Sequence, residues 1–228
     1  MVDGRLRRTS LGGVVGDSVA ILEDHAALAT GLLTLHQATG EQLWLDQACG
    51  LLDLALDHFA DPAEDGRWYD VADDAEQLVL RPSDPLDGAT PSGASLMAEA
   101  LQLAAHLAPA DSAQRYSAAA EATLAYATVL LERAPRSAGH WLAVAEAAVR
   151  GPLQIAVAGD PDSALLAAAR RLAPGGAVVV GGPVDSAPLL AGRDRVGGRD
   201  AAYVCRGRVC DLPVLSVGEL AAALQTSV

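Results

Sequence analysis

Apolar residues recur at three- and four-residue steps along two stretches near the start of the chain. The first stretch follows Asp17, a good helix N-cap residue, and ends at Gly40. The second stretch covers residues 44–59 and ends before Pro62, because proline disfavours helix at the residue before it. This pattern predicts two helices that form an αα-hairpin.

The next segment has a different pattern. Residues 67–71 and 77–81 are short and β-prone, and the acidic residues 72–76 separate them. They predict a small β-hairpin or an extended excursion. Pro82 ends the second segment, and a loop follows through residues 87–93.

Helical spacing then returns and predicts three more helices, over residues 92–107, 112–131 and 138–150. The segment from His36 resembles the segment from His106, about 70 residues later. Repeated αα-hairpins are typical of a toroid or a solenoid.

At residue 151 the period changes to strand–helix–strand alternation. Buried strands are predicted over 153–158, 177–180 and 201–205, with helices over 163–172 and 216–224. We expect a small α/β module with parallel pairing. The predicted organisation is an irregular N-terminal segment (1–16), helical hairpins (17–150) and a small α/β module (151–228).

Composition supports a mainly α fold with a sizeable core. Of the 228 residues, 51% are hydrophobic and only 4% aromatic, and the chain is rich in the helix formers Ala and Leu. The net charge of −13 argues against a nucleic-acid or anionic-membrane partner. The acidic excess lies in residues 17–100, which hold 17 acids and two Arg. It indicates either a solvated face or a carboxylate-lined cleft.

No apolar run reaches the ~18 residues of a membrane span, and no signal-peptide pattern follows the start. The three cysteines, Cys49, Cys205 and Cys210, are too few for a disulfide framework. The expected location is cytoplasmic.

Three ionisable residues stand together near the start of the first helix: Glu23, Asp24 and His25. A carboxylate pair beside a histidine can perform general acid–base catalysis if the groups are buried together. Alternatively, the acids stabilise the helix through its macrodipole.

The loop over residues 87–93 enters a helix N-terminus. Asp87, Thr90 and Ser92 could bind an oxygen-rich ligand there, beside free backbone N–H groups. The alternative is a capped turn, with Ser92 as the N-cap.

Cys205 and Cys210 enclose two arginines, which would favour a thiolate, so the pair is a redox candidate. The alternative is two small residues beside a β-turn. A zinc site would need two further ligands, so no metal is expected. The glycines after the second strand do not form a dinucleotide motif, and no cofactor is expected.

Four segments together resemble a known family: Leu22-Glu23-Asp24-His25-Ala26, the D-G-A-T-P-S-G string at 87–93, Gly151-Pro152, and Tyr203-Val204-Cys205 with Cys210. The chain resembles the C-terminal part of the thioredoxin-domain-containing spermatogenesis-associated protein family. The resemblance implies a thioredoxin-like domain followed by an (α/α)6 toroid similar to N-acylglucosamine 2-epimerases and six-hairpin glycosidases. It also implies that the first two segments line the toroid's cleft.

The expected fold is therefore a partial (α/α)6 toroid of helical hairpins followed by a small α/β module, since about five helices cannot close a ring of twelve. The expected function is binding or modification of a small carbohydrate by a fragment of a longer protein. Glu23, Asp24 and His25 are the acid–base candidates. The substrate-binding candidates, with Trp68 stacking on a sugar, are Trp68, Asp70, Asp87, Thr90 and Ser92.

Two other functions stay open at this point. The chain could be a non-catalytic interaction module that associates with itself or with an upstream fragment, because an open ring exposes apolar faces. It could also be a redox module that works through Cys205 and Cys210.

Overall fold

The computed structural model of the chain describes residues 2–76, 78–151, 153–207 and 209–225. Three residues of the segments singled out above lie outside the described residues. They are Gln77 of the second β-prone segment, Pro152 and Arg208.

The fold is mainly α, as predicted, and about half of the chain is helical. In the described part of the chain, no helix is long and apolar enough to cross a membrane. The described residues form seven α-helices: α1 Leu22–Thr39, α2 Gln42–His58, α3 Gly93–Leu107, α4 Ala110–Arg133, α5 Gly139–Arg150, α6 Ala164–Leu172 and α7 Val217–Gln225.

Helix α1 begins later than predicted. Its N-cap is Ile21 rather than Asp17, because the Asp24 carboxylate folds back and accepts the Ile21 N–H at 2.9 Å. Its end is where the sequence placed it: Gly40 has the left-handed φ of 76° and donates its N–H to the His36 carbonyl.

The segment between α2 and α3 is the extended excursion and not a hairpin, since no strand is found there among the described residues. A backbone bond joins the excursion to the end of α2: the Tyr69 N–H donates to the Phe59 carbonyl at 2.8 Å. Other contacts lie within the excursion: the Asp70 N–H donates to the Pro82 carbonyl at 2.9 Å, and the Arg81 guanidinium lies 4.0 Å from the centre of the Tyr69 ring. The excursion is thus folded on itself and attached at the end of α2.

The C-terminal part forms a mixed sheet of four strands in the order β4-β3-β5-β6. Strands β3 and β4 are parallel, as predicted, but β5 pairs antiparallel with β3. No helix was predicted between β4 and β5, and residues 183–200 contain only a short 3-10 helix, so β5 returns antiparallel beside β3. The strands are β3 Leu153–Ala158, β4 Val178–Gly182, β5 Ala201–Arg206 and β6 Val209–Cys210, and a separate N-terminal hairpin pairs β1 Ser10–Leu11 with β2 Val14–Val15.

Both faces of this sheet are covered. Ala156, Val178 and Val180 lie in the core formed by the first helices, whereas Ile155 and Val179 pack in a second core with α6 and α7. Neighbouring residues of a strand point to opposite faces of the sheet. Alternate side chains of the same strands therefore pack against two different layers of helices. The predicted segments 17–150 and 151–228 therefore share a core, and their division into two domains stays a prediction.

The C-terminal end of α1 contacts the edge strand β4 of the sheet. The Gln37 side-chain oxygen accepts the Val179 N–H of edge strand β4 at 2.9 Å. Arg170 of α6 donates to two of the last carbonyls of α1, that of Gln37 at 3.1 Å and that of Ala38 at 2.7 Å. A cation is favourable at a helix C-terminus, and the Gln37 side chain occupies one backbone donor of the edge strand.

We predict that Gln37→Ala lowers the free energy of unfolding by about 1–2 kcal/mol, because the partly buried Val179 N–H loses its acceptor. Urea denaturation measures this. The matched control is Gln42→Ala, whose amide bonds only to the exposed Asp46, with an expected loss of under about 0.5 kcal/mol. Equal losses in the two variants would contradict the role given to Gln37.

Candidate functional site

The N-termini of α1 and α3 approach each other closely and form a cleft between them. Gly93 makes this possible: a Cβ atom there would lie 3.1 Å from the Glu23 nitrogen and 3.2 Å from the Leu22 Cβ. The first turns of the two helices, with their positive dipole ends, therefore lie side by side at this cleft.

The cleft has a volume of about 360 Å³. Its walls come from three parts of the chain: the start of α1, the excursion between α2 and α3, and the start of α3. Its lining residues are Ile21, Glu23, Asp70, Asp84, Leu86, Gly88, Thr90, Pro91, Ser92 and Gly93. The structure thus brings together four of the predicted site residues: Glu23, Asp70, Thr90 and Ser92.

Three carboxylates from two segments line this cleft, Glu23 from α1 and Asp70 and Asp84 from the excursion, and Asp70 is the one with the raised pKa. Burial is the largest cause of the rise, and the negative charges of Asp84 and Glu23 add to it, although Asp70 accepts the Asp84 N–H at 3.0 Å. Among the described residues, the Glu23 side chain has no hydrogen bond or ion pair. The Asp70 carboxyl, whose pKa is raised, and the Glu23 side chain, which has no partner among the described residues, thus line the same cleft.

Asp84 was missed by the sequence analysis. It lies among prolines in the excursion, and its Oδ1 accepts the Leu86 N–H at 3.0 Å. No spacing rule connects it with Glu23, which is about 60 residues away. Only the fold of the excursion places it in the cleft.

Asp87 is not in the cleft lining, and its carboxylate binds the loop that enters α3 to the start of α5. Its Oδ1 accepts the Ser92 N–H at 2.9 Å and the Ser95 hydroxyl at 2.8 Å. Its Oδ2 accepts the N–H groups of His140 at 2.8 Å and Trp141 at 3.3 Å. Burial would raise the pKa of Asp87, but these four donors outweigh it and lower the pKa. Both oxygens are occupied by protein donors, so we correct its expected role from ligand contact to support of the loop.

Asp24 and His25 also have structural positions. Asp24 caps α1 and forms an ion pair with Arg8 at 2.9 Å. His25 is 2% exposed, its ring lies 5.0 Å from that of Phe59, and its Nδ1 is 2.9 Å from the Ile21 carbonyl oxygen. Burial lowers the pKa of His25. Neither residue is in the cleft lining, so Glu23 stands apart from its two sequence neighbours.

Trp68 packs inside the molecule, contrary to its expected place at the ligand. It is 4% exposed, and its indole N–H donates to the Thr123 hydroxyl of α4 at 2.9 Å. The Thr123 hydroxyl in turn donates to the Ala119 carbonyl. The tryptophan joins the excursion to α4 and is not accessible for stacking on a sugar.

One group of metal-ligand side chains occurs among the described residues. The His58, Asp73 and Asp74 ligand atoms lie within 4.8 Å of one another. Their positions are already used by the protein: His58 Nδ1 is 2.7 Å from Asp73, and Arg5 forms an ion pair with Asp74. The group lies outside the cleft lining.

A second, larger groove lies between α3, α4 and α5, with a volume of about 530 Å³. Its polar groups include the pair of His140 and Glu99, whose Nε2 and Oε2 atoms are 3.4 Å apart, and His106, whose pKa is lowered by burial. The sequence analysis did not find this groove, because its residues are spread over three helices with no local motif.

Cys205 and Cys210 form a disulfide. They face each other in register on β5 and β6. The bond is present, and its redox activity remains a prediction. Cys49 is free and half-buried, and burial is the largest cause of its raised pKa.

Fold and site define a mainly helical protein with a small mixed sheet and an acidic cleft between two helix N-termini. Over 95% of its length, the chain is similar to the proteins named spermatogenesis-associated protein 20. It is 28% identical to the Mus musculus protein over 236 residues and 28% identical to the Rattus norvegicus protein over 235 residues. It is 37% identical to the Homo sapiens protein over 108 residues, which is 44% of the chain.

No family model matches the chain. The chain spans 29% of the length of the mouse and rat relatives. The relatives therefore support the family named from the sequence motifs, while the thioredoxin-like domain and the toroid remain expectations.

We predict that Asp87→Ala lowers the free energy of unfolding by about 3 kcal/mol, since four donors lose a charged acceptor. Because the folded-state pKa of Asp87 is lowered, its contribution is present above the ordinary carboxyl pKa and is lost as pH falls through the folded value. Urea denaturation at pH 7 and pH 3 should show the deficit shrink in acid. Asp84→Ala, which removes one hydrogen bond in the same loop, is the control with a loss of about 0.5 kcal/mol.

We predict the opposite effect for Asp70→Asn. Because the folded-state pKa of Asp70 is raised, ionising it disfavours the folded state at pH values above the ordinary carboxyl pKa. Removing the charge should raise Tm by about 2 °C at pH 7.5 and leave it unchanged at pH 3.5. Calorimetry at both pH values checks this, with Asp73→Asn as the control. The Asp73 pKa is lowered mainly by its bond to His58, so that variant should gain nothing.

Proposed function

We propose that the cleft binds a small carbohydrate and supports an acid–base reaction on it, of the epimerase or glycosidase type. One observation carries this proposal: carboxylates from separate segments meet beside two helix N-termini in a single cleft. Such a site has both the hydrogen-bond acceptors and the donors that a ring of hydroxyl groups requires.

The polarity of the lining favours a neutral, hydroxyl-rich ligand. Among the described lining residues there are three carboxylates and no Arg or His, so a phosphate or carboxylate ligand would be repelled. The Thr90 and Ser92 hydroxyls and the Gly88 backbone supply further polar groups. A volume of about 360 Å³ lies at the lower end of small-molecule pockets and suits a monosaccharide.

Asp70 and Glu23 are assigned complementary roles. Asp70, whose pKa is raised by burial and by its acidic neighbours, is the proton donor. Glu23, which has no partner among the described side chains, is the proton acceptor. Enzymes obtain an acid and a base from one residue type by placing two carboxyl groups in different surroundings. Here burial and two like charges raise the pKa of Asp70, whereas the Glu23 side chain has no partner among the described residues.

The other candidates from the sequence act through this pair. Asp24 fixes the start of α1 on which Glu23 stands, and Asp87 fixes the start of α3 on which Ser92 stands. Both are positioning residues, and His25 and Trp68 belong to the core beneath them.

A second candidate function is that of an interaction module. It is favoured by the groove between α3, α4 and α5 and by Val149, which is 88% exposed on α5. A second copy of the chain or an upstream segment of a longer protein would cover these helices. A dimer of defined size whose melting no sugar alters would favour this function over the first.

We predict that 10 mM N-acetylglucosamine, N-acetylmannosamine, glucose or mannose raises the Tm of the chain, by about 3 °C for a sugar whose Kd is near 1 mM. Glu23→Gln and Asp70→Asn should abolish this rise, because each removes a ligand contact in the cleft. Proton NMR in D2O, which follows exchange at C2 of the bound sugar, tests the reaction itself.

Sugars stabilise many proteins weakly because they are excluded from protein surfaces, so the difference between wild type and variants is the readout. Asp73→Asn, an acid of the same excursion outside the cleft lining, is the matched control and should respond like wild type. A sugar response that is the same in all four proteins would disprove the carbohydrate site.

A further inference from the structure

The β5–β6 hairpin holds its two cysteines in unequal surroundings. Cys205 is 1% exposed within the sheet, whereas Cys210 is exposed on the short edge strand β6. An incoming thiolate can reach the Cys210 sulfur and not the Cys205 sulfur. Attack on this disulfide is therefore directed to one of its two atoms.

One cation contacts both sulfurs. The Arg193 Nη2 atom lies 3.2 Å from the Cys205 Sγ and 3.4 Å from the Cys210 Sγ. Arg193 arrives from the loop between β4 and β5, 12 residues before Cys205, so its position is not a consequence of the hairpin itself. A guanidinium at this distance stabilises a thiolate and lowers the pKa of the thiol.

Arg193 is firmly placed beside the disulfide. Its Nη1 donates to the Leu189 carbonyl and its backbone N–H to the Leu190 carbonyl. Leu189 and Leu190 are buried in the core of the first helices. Partial burial of the guanidinium lowers its pKa, and among the described residues it forms no ion pair with a carboxylate. The two sulfurs are the side-chain atoms that it contacts.

The disulfide adds little to the fold. It joins residues five positions apart that strand pairing already holds opposite each other. The stabilisation that a cross-link gives through the unfolded chain grows with the length of the loop it closes, and this loop is among the shortest. A mainly structural role would not require a partly buried cation at the sulfurs.

We propose that Cys205–Cys210 is a redox-active disulfide that is reduced by a dithiol, with Cys210 as the attacked sulfur, Cys205 as the leaving thiolate and Arg193 as the residue that stabilises this thiolate. This activity is independent of the carbohydrate cleft.

The exchange proceeds in two balanced steps. A thiolate of the reductant forms a bond with the Cys210 Sγ, the Sγ–Sγ bond breaks, and its electron pair passes to the Cys205 Sγ beside Arg193. The second thiol of the reductant loses its proton. The resulting thiolate attacks the reductant's first sulfur, which is bonded to Cys210 in the mixed disulfide, and Cys210 is released as a thiolate. The reductant leaves as a disulfide, and the chain has gained two electrons and two protons, one on each cysteine at a pH below its thiol pKa.

The experiment uses the 228-residue chain with Cys49→Ala, so that two cysteines remain. Under native conditions, we expect no alkylated cysteine before dithiothreitol and two after it, counted by mass spectrometry. Reduced glutathione followed by an acid quench and alkylation should give glutathione on Cys210 and the alkyl group on Cys205.

Arg193→Ala should slow reduction by dithiothreitol at pH 7 by about tenfold, and Arg193→Lys should recover part of the rate. The thiolate absorbance of Cys205 in a Cys210→Ala chain should titrate at higher pH without Arg193. The matched control is Arg195→Ala on the same loop, where the guanidinium pairs with Asp200 at 2.6 Å and should leave both readouts unchanged.

Four results would overturn the proposal. They are two free thiols in the air-oxidised protein, a bond that is reduced only in urea, glutathione found on Cys205, or an Arg193→Ala chain that is reduced as fast as wild type. The glutathione result needs no Arg193 variant, so it decides the direction of attack even if that variant does not fold.

Discussion

The carboxylate of Asp87 satisfies backbone groups that two helices cannot satisfy themselves. The first N–H groups of any helix have no partner within that helix, and here Asp87 accepts from Ser92 at the cap of α3 and from His140 and Trp141 at the start of α5. A single, partly buried carboxylate thus bonds to the N-terminal ends of two helices and joins them. The cleft above inherits its shape from this arrangement, because Ser92 is both a partner of Asp87 and a wall of the cleft.

The helices and the sheet are also joined by shared packing and by a few hydrogen bonds. One face of the sheet lies in the core of the first helices, and the other packs under α6 and α7, so the small module has its own core on one face and shares the other face with the helices. Gln37 and Arg170 then close the edge strand against the end of α1. Because α1 carries Glu23 at its other end, the position of the cleft depends on packing at the sheet about 20 Å along the helix axis, at about 1.5 Å per residue.

The sequence patterns predicted the features that depend on residues close together in the chain or on a recognisable motif. The helices, the Gly40 cap and the meeting of the 87–93 loop with the start of α1 follow from spacing, capping and motif resemblance. The antiparallel return of β5, the burial of Trp68 and the place of Asp84 in the cleft depend on how an irregular segment crosses the fold. No periodicity encodes such a path, so these features required the three-dimensional structure.

Asp70 and Asp87 show why partial burial alone does not define a site. Both are acids of the same excursion, and burial pushes the pKa of each upward. Asp87 meets four protein donors that hold it ionised, whereas Asp70 meets one N–H and two like charges. The fold has therefore satisfied one carboxyl group and left the other short of donors. A ligand with hydroxyl groups would supply to Asp70 what the protein already supplies to Asp87, and this difference supports the carbohydrate site that we propose in the cleft.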